Sequence, residues 1–141
     1  MTSRLRLVGE QVTLVDSCVL LDVATDDRAD WSARALGQAL DGGRLVINPI
    51  VYAEVSTGFA RIEDLDDALP AEEFEREKIP FEAAFLAGKA FLTYRRRGGG
   101  KTSPLPDFFI GAHAAVRDYR LLTRDAARYR SYFPTVDLLT P

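Results

Sequence analysis

The sequence predicts an α/β domain built on a parallel sheet wrapped by helices on both faces. Short apolar runs rich in β-branched residues alternate with segments of helical periodicity, the pattern of strands joined by helical crossovers. Carboxylates stand where those runs end, and ligands collect at the carboxyl ends of strands in such sheets. A composition of 47% hydrophobic and 28% charged residues over 141 positions suits one core of ordinary size, so residues 1–141 are read as a single domain.

Each element has a local reason. "QVTLVD" (11–16) reads as a strand and "SCVLLDVA" (17–24) as a short helix. "DRADWSARALGQALDGG" (27–43) repeats Trp31, Ala35, Leu36, Ala39 and Leu40 at helical spacing and stops at Gly42-Gly43. "RLVINP" (44–49) is a second strand, and Pro49 suits the first turn of a helix running "IVYAEVSTGF". "IEDLDDALPAEEFEREKIP" (62–80) reads as two helical pieces broken at Pro70. "PFEAAFLAGKAFLTYRRR" (80–97) is an amphipathic helix and "GGGKTSPLP" (98–106) a loop. "DFFIGAHAAVRDY" (107–119) is a helix, "RLLT" (120–123) a buried strand, "DAARYRSYF" (125–133) a helix, and "TVDLL" (135–139) a last strand.

Several function classes drop out. Cys18 is the lone cysteine, which leaves no disulfide framework and fits a reducing cytoplasm. The start "MTSRLRLVGEQ" has no apolar core of a signal peptide, and Asp16 and Asp22 break the most apolar stretches, so no membrane span is expected. "RRRGGGKT" ends like a phosphate-binding loop, but that pattern needs Gly at Arg95 and a preceding strand, so nucleotide binding is rejected. The net charge of −3 is uneven: residues 1–87 carry 8 Lys/Arg against 17 Asp/Glu, and residues 88–141 carry 10 against 4. That split suits an anionic partner on the later half, though solvated helix faces would produce it too.

Four acids carry the chemistry. Asp16 closes the first strand, Glu54 lies in an apolar helix with no basic residue within six positions, Asp107 opens a helix, and Asp125 follows the late strand. Asp16, Asp107 and Asp125 each have an ordinary reading as helix caps or first-turn acids; Glu54 does not. Gathered in one pocket they would repel one another, and a hard divalent cation with oxygen ligands would relieve that.

In "VDSCVLLD", "INPIVYAEV", "LPDFFIGAHAA" and "LLTRDAARYRSYFP", in this order, the chain from Val12 onward resembles the PIN-domain nucleases, and among them the VapC-type toxins of bacterial toxin–antitoxin pairs. The resemblance implies that Asp16, Glu54, Asp107 and Asp125 bind Mg²⁺ or Mn²⁺, with Ser17 and Thr123 as hydroxyls orienting the pocket and Thr123 counted with the catalytic set. It implies an endoribonuclease that cuts by metal-activated water and leaves a 5′-phosphate and a 3′-hydroxyl. Its partners would be an RNA substrate, a cognate antitoxin and a second copy of the chain. Two departures stand out: Cys18 where Asn, Ser or Thr is commoner, and about ten extra residues before the first strand. A housekeeping RNA-processing nuclease of the same fold, or a binding module without catalysis, are the alternatives.

Arg95, Arg96, Arg97 and Lys101 form a basic segment suited to an RNA backbone or to a helix C-terminus, and Arg124 is the best placed of the later arginines to bind RNA because it adjoins Asp125. Arg117, Arg120, Arg128 and Arg130 are further phosphate candidates. His113 is read as a partly buried packing residue, and Trp31, Phe85, Phe91, Phe108 and Phe109 as core or interface rather than base-stacking platforms. For the dimer, the helix around Val51, Tyr52 and Val55 and the helix from Phe81 to Tyr94 are the candidates.

Overall fold

Residues 11–25 and 29–141 are described in a computed structural model. The first ten residues, and the Asp27-Arg28 start of the second expected helix, lie outside them. The chain runs β1 (Gln11–Val15), α1 (Ser17–Thr25), α2 (Ala29–Gly42), β2 (Gly43–Ile47), α3 (Pro49–Ser56), α4 (Ile62–Ala68), β3 (Phe74–Arg76), α5 (Phe81–Arg96), α6 (Pro106–Arg117), β4 (Arg120–Leu122), α7 (Ala126–Tyr132) and β5 (Leu138–Leu139).

The strands form one sheet, β3-β2-β1-β4-β5, with every pairing parallel. Because β1 is central, Leu14 lies between Val46 and Leu121, and Val12 to Val15 are all buried. Both faces of β1 are covered, which is why it reads as a continuous apolar run without alternation. The right-handed crossovers that parallel strands take put α1 to α4 on one face of a sheet of this order and α5 to α7 on the other. The contacts of α1 with α2 and α3, and of α6 with α5 and α7, follow that division, and α3 also meets α6. The chain leaves β1 toward β2 and leaves β4 toward β5. The two adjacent strands thus send their connections opposite ways and open a crevice at their carboxyl ends.

Asn48 starts α3, its Oδ1 accepting from the Val51 N–H at 2.9 Å, and Pro49 occupies the first helical position as expected. The second half of the acidic segment departs from expectation. The helical piece expected after Pro70 is strand β3, whose Phe74 is buried and pairs with Leu45. The edge of β2 supplies backbone partners, and Arg44 grips Glu75 across the pair through two hydrogen bonds, at 2.8 and 2.6 Å.

The aromatics divide. Phe108 is fully buried, and Trp31, Phe91 and Phe109 pack against the core half-buried. Phe85 is exposed beside Phe81 on the outside of α5, at 68% and 91%. Val51 and Val55 belong to the core, which leaves α5 the more available of the two faces considered for a dimer.

Candidate active site

The crevice beyond β1 and β4 is where the four acids gather. Asp16 leaves β1 with its N–H donating to the Leu122 carbonyl of β4 at 2.9 Å. Its carboxylate is buried, so its charge must be met by donors. Three meet it. The Ser17 N–H donates to Oδ1 at 2.8 Å, and the Thr123 and Tyr129 hydroxyls donate to Oδ2 at 2.8 and 3.0 Å.

Two hydroxyl residues tie the other acids in. Ser17 Oγ donates to Glu54 Oε1 at 2.7 Å, so one serine grips two carboxylates from α3 and the end of β1. Thr123 Oγ1, its proton committed to Asp16, accepts from the Asp125 N–H at 3.0 Å. With that proton committed, the Cys18 thiol is the donor in its 3.6 Å contact with Thr123 Oγ1, and Cys18 Sγ accepts from the Arg124 N–H at 3.4 Å. Cys18 thus makes two hydrogen bonds within the site. Burial, then the charge of Asp16, push its thiol pKa up and keep it protonated.

Tyr129 is the residue that sequence reasoning missed. Its fully buried hydroxyl reaches Asp16 Oδ2 at 3.0 Å and Asp107 Oδ1 at 3.5 Å, bridging two acids. Burial, followed by the charges of Asp16 and Asp107, raises its pKa far above the ordinary phenol range and keeps it a donor. The available signal was spacing: Ala126 and Tyr129 are the buried residues of α7, three apart, just after Asp125.

Asp107 is the electrostatically stressed member. Burial pushes its carboxyl up to about 6, and the charges of Asp16, Glu54 and Asp125 add to the rise. Arg128 opposes it with a guanidinium 3.7 Å from Asp107 Oδ2. The other three acids therefore all act on Asp107. Among the described residues no three His, Cys, Asp or Glu side chains form a ready-made coordination shell. An all-oxygen donor set with excess negative charge nonetheless fits a hard divalent cation, because Mg²⁺ keeps several waters and uses few direct carboxylates.

The model of the PIN domain family matches residues 13–133, a span that contains all four acids. The chain belongs to the PIN-domain family. PIN domains are nucleases and generally use divalent metals. Solved structures share the fold at low identity. A chain of VapBC2 from Rickettsia felis, bound to a promoter DNA fragment, superposes with a TM-score of 0.73 at 16% identity, over 93% of this chain and 99% of that one. For VapBC-1 from nontypeable Haemophilus influenzae the values are 0.71, 20%, 92% and 98%. For FitAcB from Neisseria gonorrhoeae they are 0.69, 14%, 90% and 96%. No curated protein is matched by sequence.

The basic residues of this PIN domain are placed unevenly. Arg95 Nη1 folds back onto the Lys101 carbonyl at 2.6 Å, and Arg97 Nη1 donates to Ser131 Oγ at 2.8 Å. Arg124 turns away from Asp125 and pairs with Asp22 of α1 at 2.8 Å. Arg96, at the end of α5, and Lys101, on the loop after it, are exposed. His113 is more buried than expected, fully enclosed and apart from the acids. Asn48 Nδ2 donates to its Nδ1 at 3.0 Å, and its Nε2–H donates to Glu77 at 2.6 Å. Among the described residues no helix is long and apolar enough to cross a membrane.

Proposed function

We propose that this PIN domain is a Mg²⁺- or Mn²⁺-dependent endoribonuclease, and that it works in the cytoplasm as the toxin of a toxin–antitoxin pair. The observation that carries the nuclease reading is that Asp16 is tied to Glu54 through Ser17, to Asp125 through Thr123 and to Asp107 through Tyr129 at the switch crevice. Those four carboxylates would hold the metal. A divalent cation there supplies a water of lowered pKa and neutralises charge developing on a phosphodiester.

The rest of the work belongs to the chain. Ser17 and Thr123 fix the carboxylates through their hydroxyls, and Tyr129 holds Asp16 and Asp107 at one spacing. Arg96 and Lys101 are free to meet the RNA backbone, while Arg95, Arg97 and Arg124 reach it only by giving up their present partners. The likeness of fold to chains of VapBC complexes supports the toxin role and an antitoxin partner. The exposed Phe81 and Phe85 support a second copy docking on α5.

Purified protein incubated with RNA should produce 5′-phosphate and 3′-hydroxyl ends with Mg²⁺ or Mn²⁺ and none in EDTA. Asp16→Asn and Asp107→Asn should each reduce cutting by orders of magnitude. Near wild-type cutting by either variant overturns the assignment. A small antitoxin-like reading frame beside the gene, whose product blocks cutting, is the expected result for the toxin role.

A further inference from the structure

A cleft of about 350 Å³ opens beside the acids, lined by Tyr94, Asp125, Ala127, Arg128 and Tyr132. Its size falls in the range of small-ligand sites. It shares Asp125 with the acidic cluster, so an occupant sits next to whatever phosphate the acids handle. Its walls include two aromatic rings and one guanidinium plane, surfaces on which unstacked bases lie.

The rings are held in place. Phe108, fully buried, meets Tyr94 edge-on at 5.6 Å and Tyr132 at 5.1 Å between centroids, leaving both tyrosines half-buried at the cleft. Behind Tyr94 the chain passes so close that a Cβ on Gly99 would lie 2.3 Å from the ring, which explains glycine there. The Gly99 N–H donates to the Tyr94 carbonyl at 2.9 Å and the Lys101 N–H to the Tyr94 hydroxyl at 3.4 Å. Rigid aromatics bind with little entropic loss.

The guanidinium groups are poised. Arg128 lies 5.8 Å from the Tyr94 centroid and 5.7 Å from that of Phe108, and Arg97 lies 4.8 Å from that of Tyr132. Arg128 Nη1 is buried without a hydrogen-bond partner among the described residues, and its ion pair with Asp107 is long, at 3.7 Å. A buried donor left unsatisfied is rare enough to call for an acceptor.

We infer that this cleft is a stacking subsite for one nucleobase of single-stranded RNA, the base flanking the phosphate that is cut. Tyr94 and Tyr132 supply the rings, and Arg128 supplies a plane and a spare donor. The inference rests on the nuclease reading and names its substrate class as unpaired RNA.

The test measures binding and cutting separately, using the full-length protein. In EDTA, a short single-stranded RNA carrying 2-aminopurine should be quenched on binding. Tyr132→Leu should lose roughly 5- to 150-fold in affinity while Tyr132→Phe keeps it. Neither variant should alter the salt slope, because no phosphate contact is lost. Arg128→Lys, which keeps the charge and removes the plane, should weaken quenching. Thermal melts check that each variant is folded, and an abasic site in the RNA should reproduce the loss in the unmutated protein. Wild-type affinity in Tyr132→Leu, equal loss in Tyr132→Phe, or no RNA binding at all overturns the subsite. If metal elicits no cutting but base-dependent binding persists, the nuclease reading fails and the subsite stands. If cutting by Tyr132→Leu keeps its KM, the subsite fails and the nuclease stands.

Discussion

Asp107→Asn should stabilise the metal-free protein, and only where Asp107 is charged. Its carboxyl titrates at about 6 in the fold against an ordinary 3.8. Two units at about 1.36 kcal/mol each would give about 3 kcal/mol. The side chain is 31% exposed, so water screens part of this, and the substitution also forfeits the attraction of Arg128. A net gain of about 1 kcal/mol remains, or about 3–5 °C in Tm for a chain of this size. The sign follows from proton counts. Between pH 3.8 and about 6 the folded state holds a proton that the unfolded state has lost, so raising the pH costs stability. The gain from Asn should thus be absent below pH 4, grow through that window and be complete above pH 6. Magnesium should reverse the order: at a hundredfold over Kd a bound ligand adds about 2.7 kcal/mol, which the variant would not share fully. Melting both proteins in EDTA from pH 4.5 to 8, and again with Mg²⁺, checks this. A variant that melts at or below the parent at pH 8 in EDTA, or a gap that ignores pH, refutes the reasoning.

Tyr129→Phe removes one hydroxyl from between two carboxylates without leaving a cavity. It should cost about 1.5–3 kcal/mol by denaturant titration and lower metal affinity or cutting about 10- to 100-fold. Replacing Arg96 and Lys101 together by Ala should flatten the log–log salt dependence of single-stranded RNA binding by about 1.4, whereas Arg124→Ala should change it little, because that guanidinium is held by Asp22.

Most elements could be located from the sequence because apolar pattern and caps agreed locally, as with Asn48 and Pro49 opening α3. β3 could not. Its "FER" carries one apolar residue and is a strand only because β2 offers it an edge, a partner more than twenty-five residues away. The acids were legible by type, and Asp16, Asp107 and Asp125 by position after a strand or at a helix start. Their hydrogen bonds were not: Tyr129 joins Asp16 across 113 residues and Thr123 joins it across 107, and local patterning carries no trace of either. The direction of an arginine side chain was likewise not legible. Arg124 adjoins Asp125 in sequence, yet its side chain turns to α1.

The sheet order has a bearing on synthesis. β1 emerges first but needs β4, made some hundred residues later, to cover its second edge. A growing chain that stops before Leu122 has one side of its central strand open, and Asp16 lacks both Thr123 and Tyr129. Such fragments present an unpaired strand edge, the feature that invites aggregation and clearance. They also lack the late acid Asp125. The acidic cluster can therefore close only once the chain has been made through Tyr129.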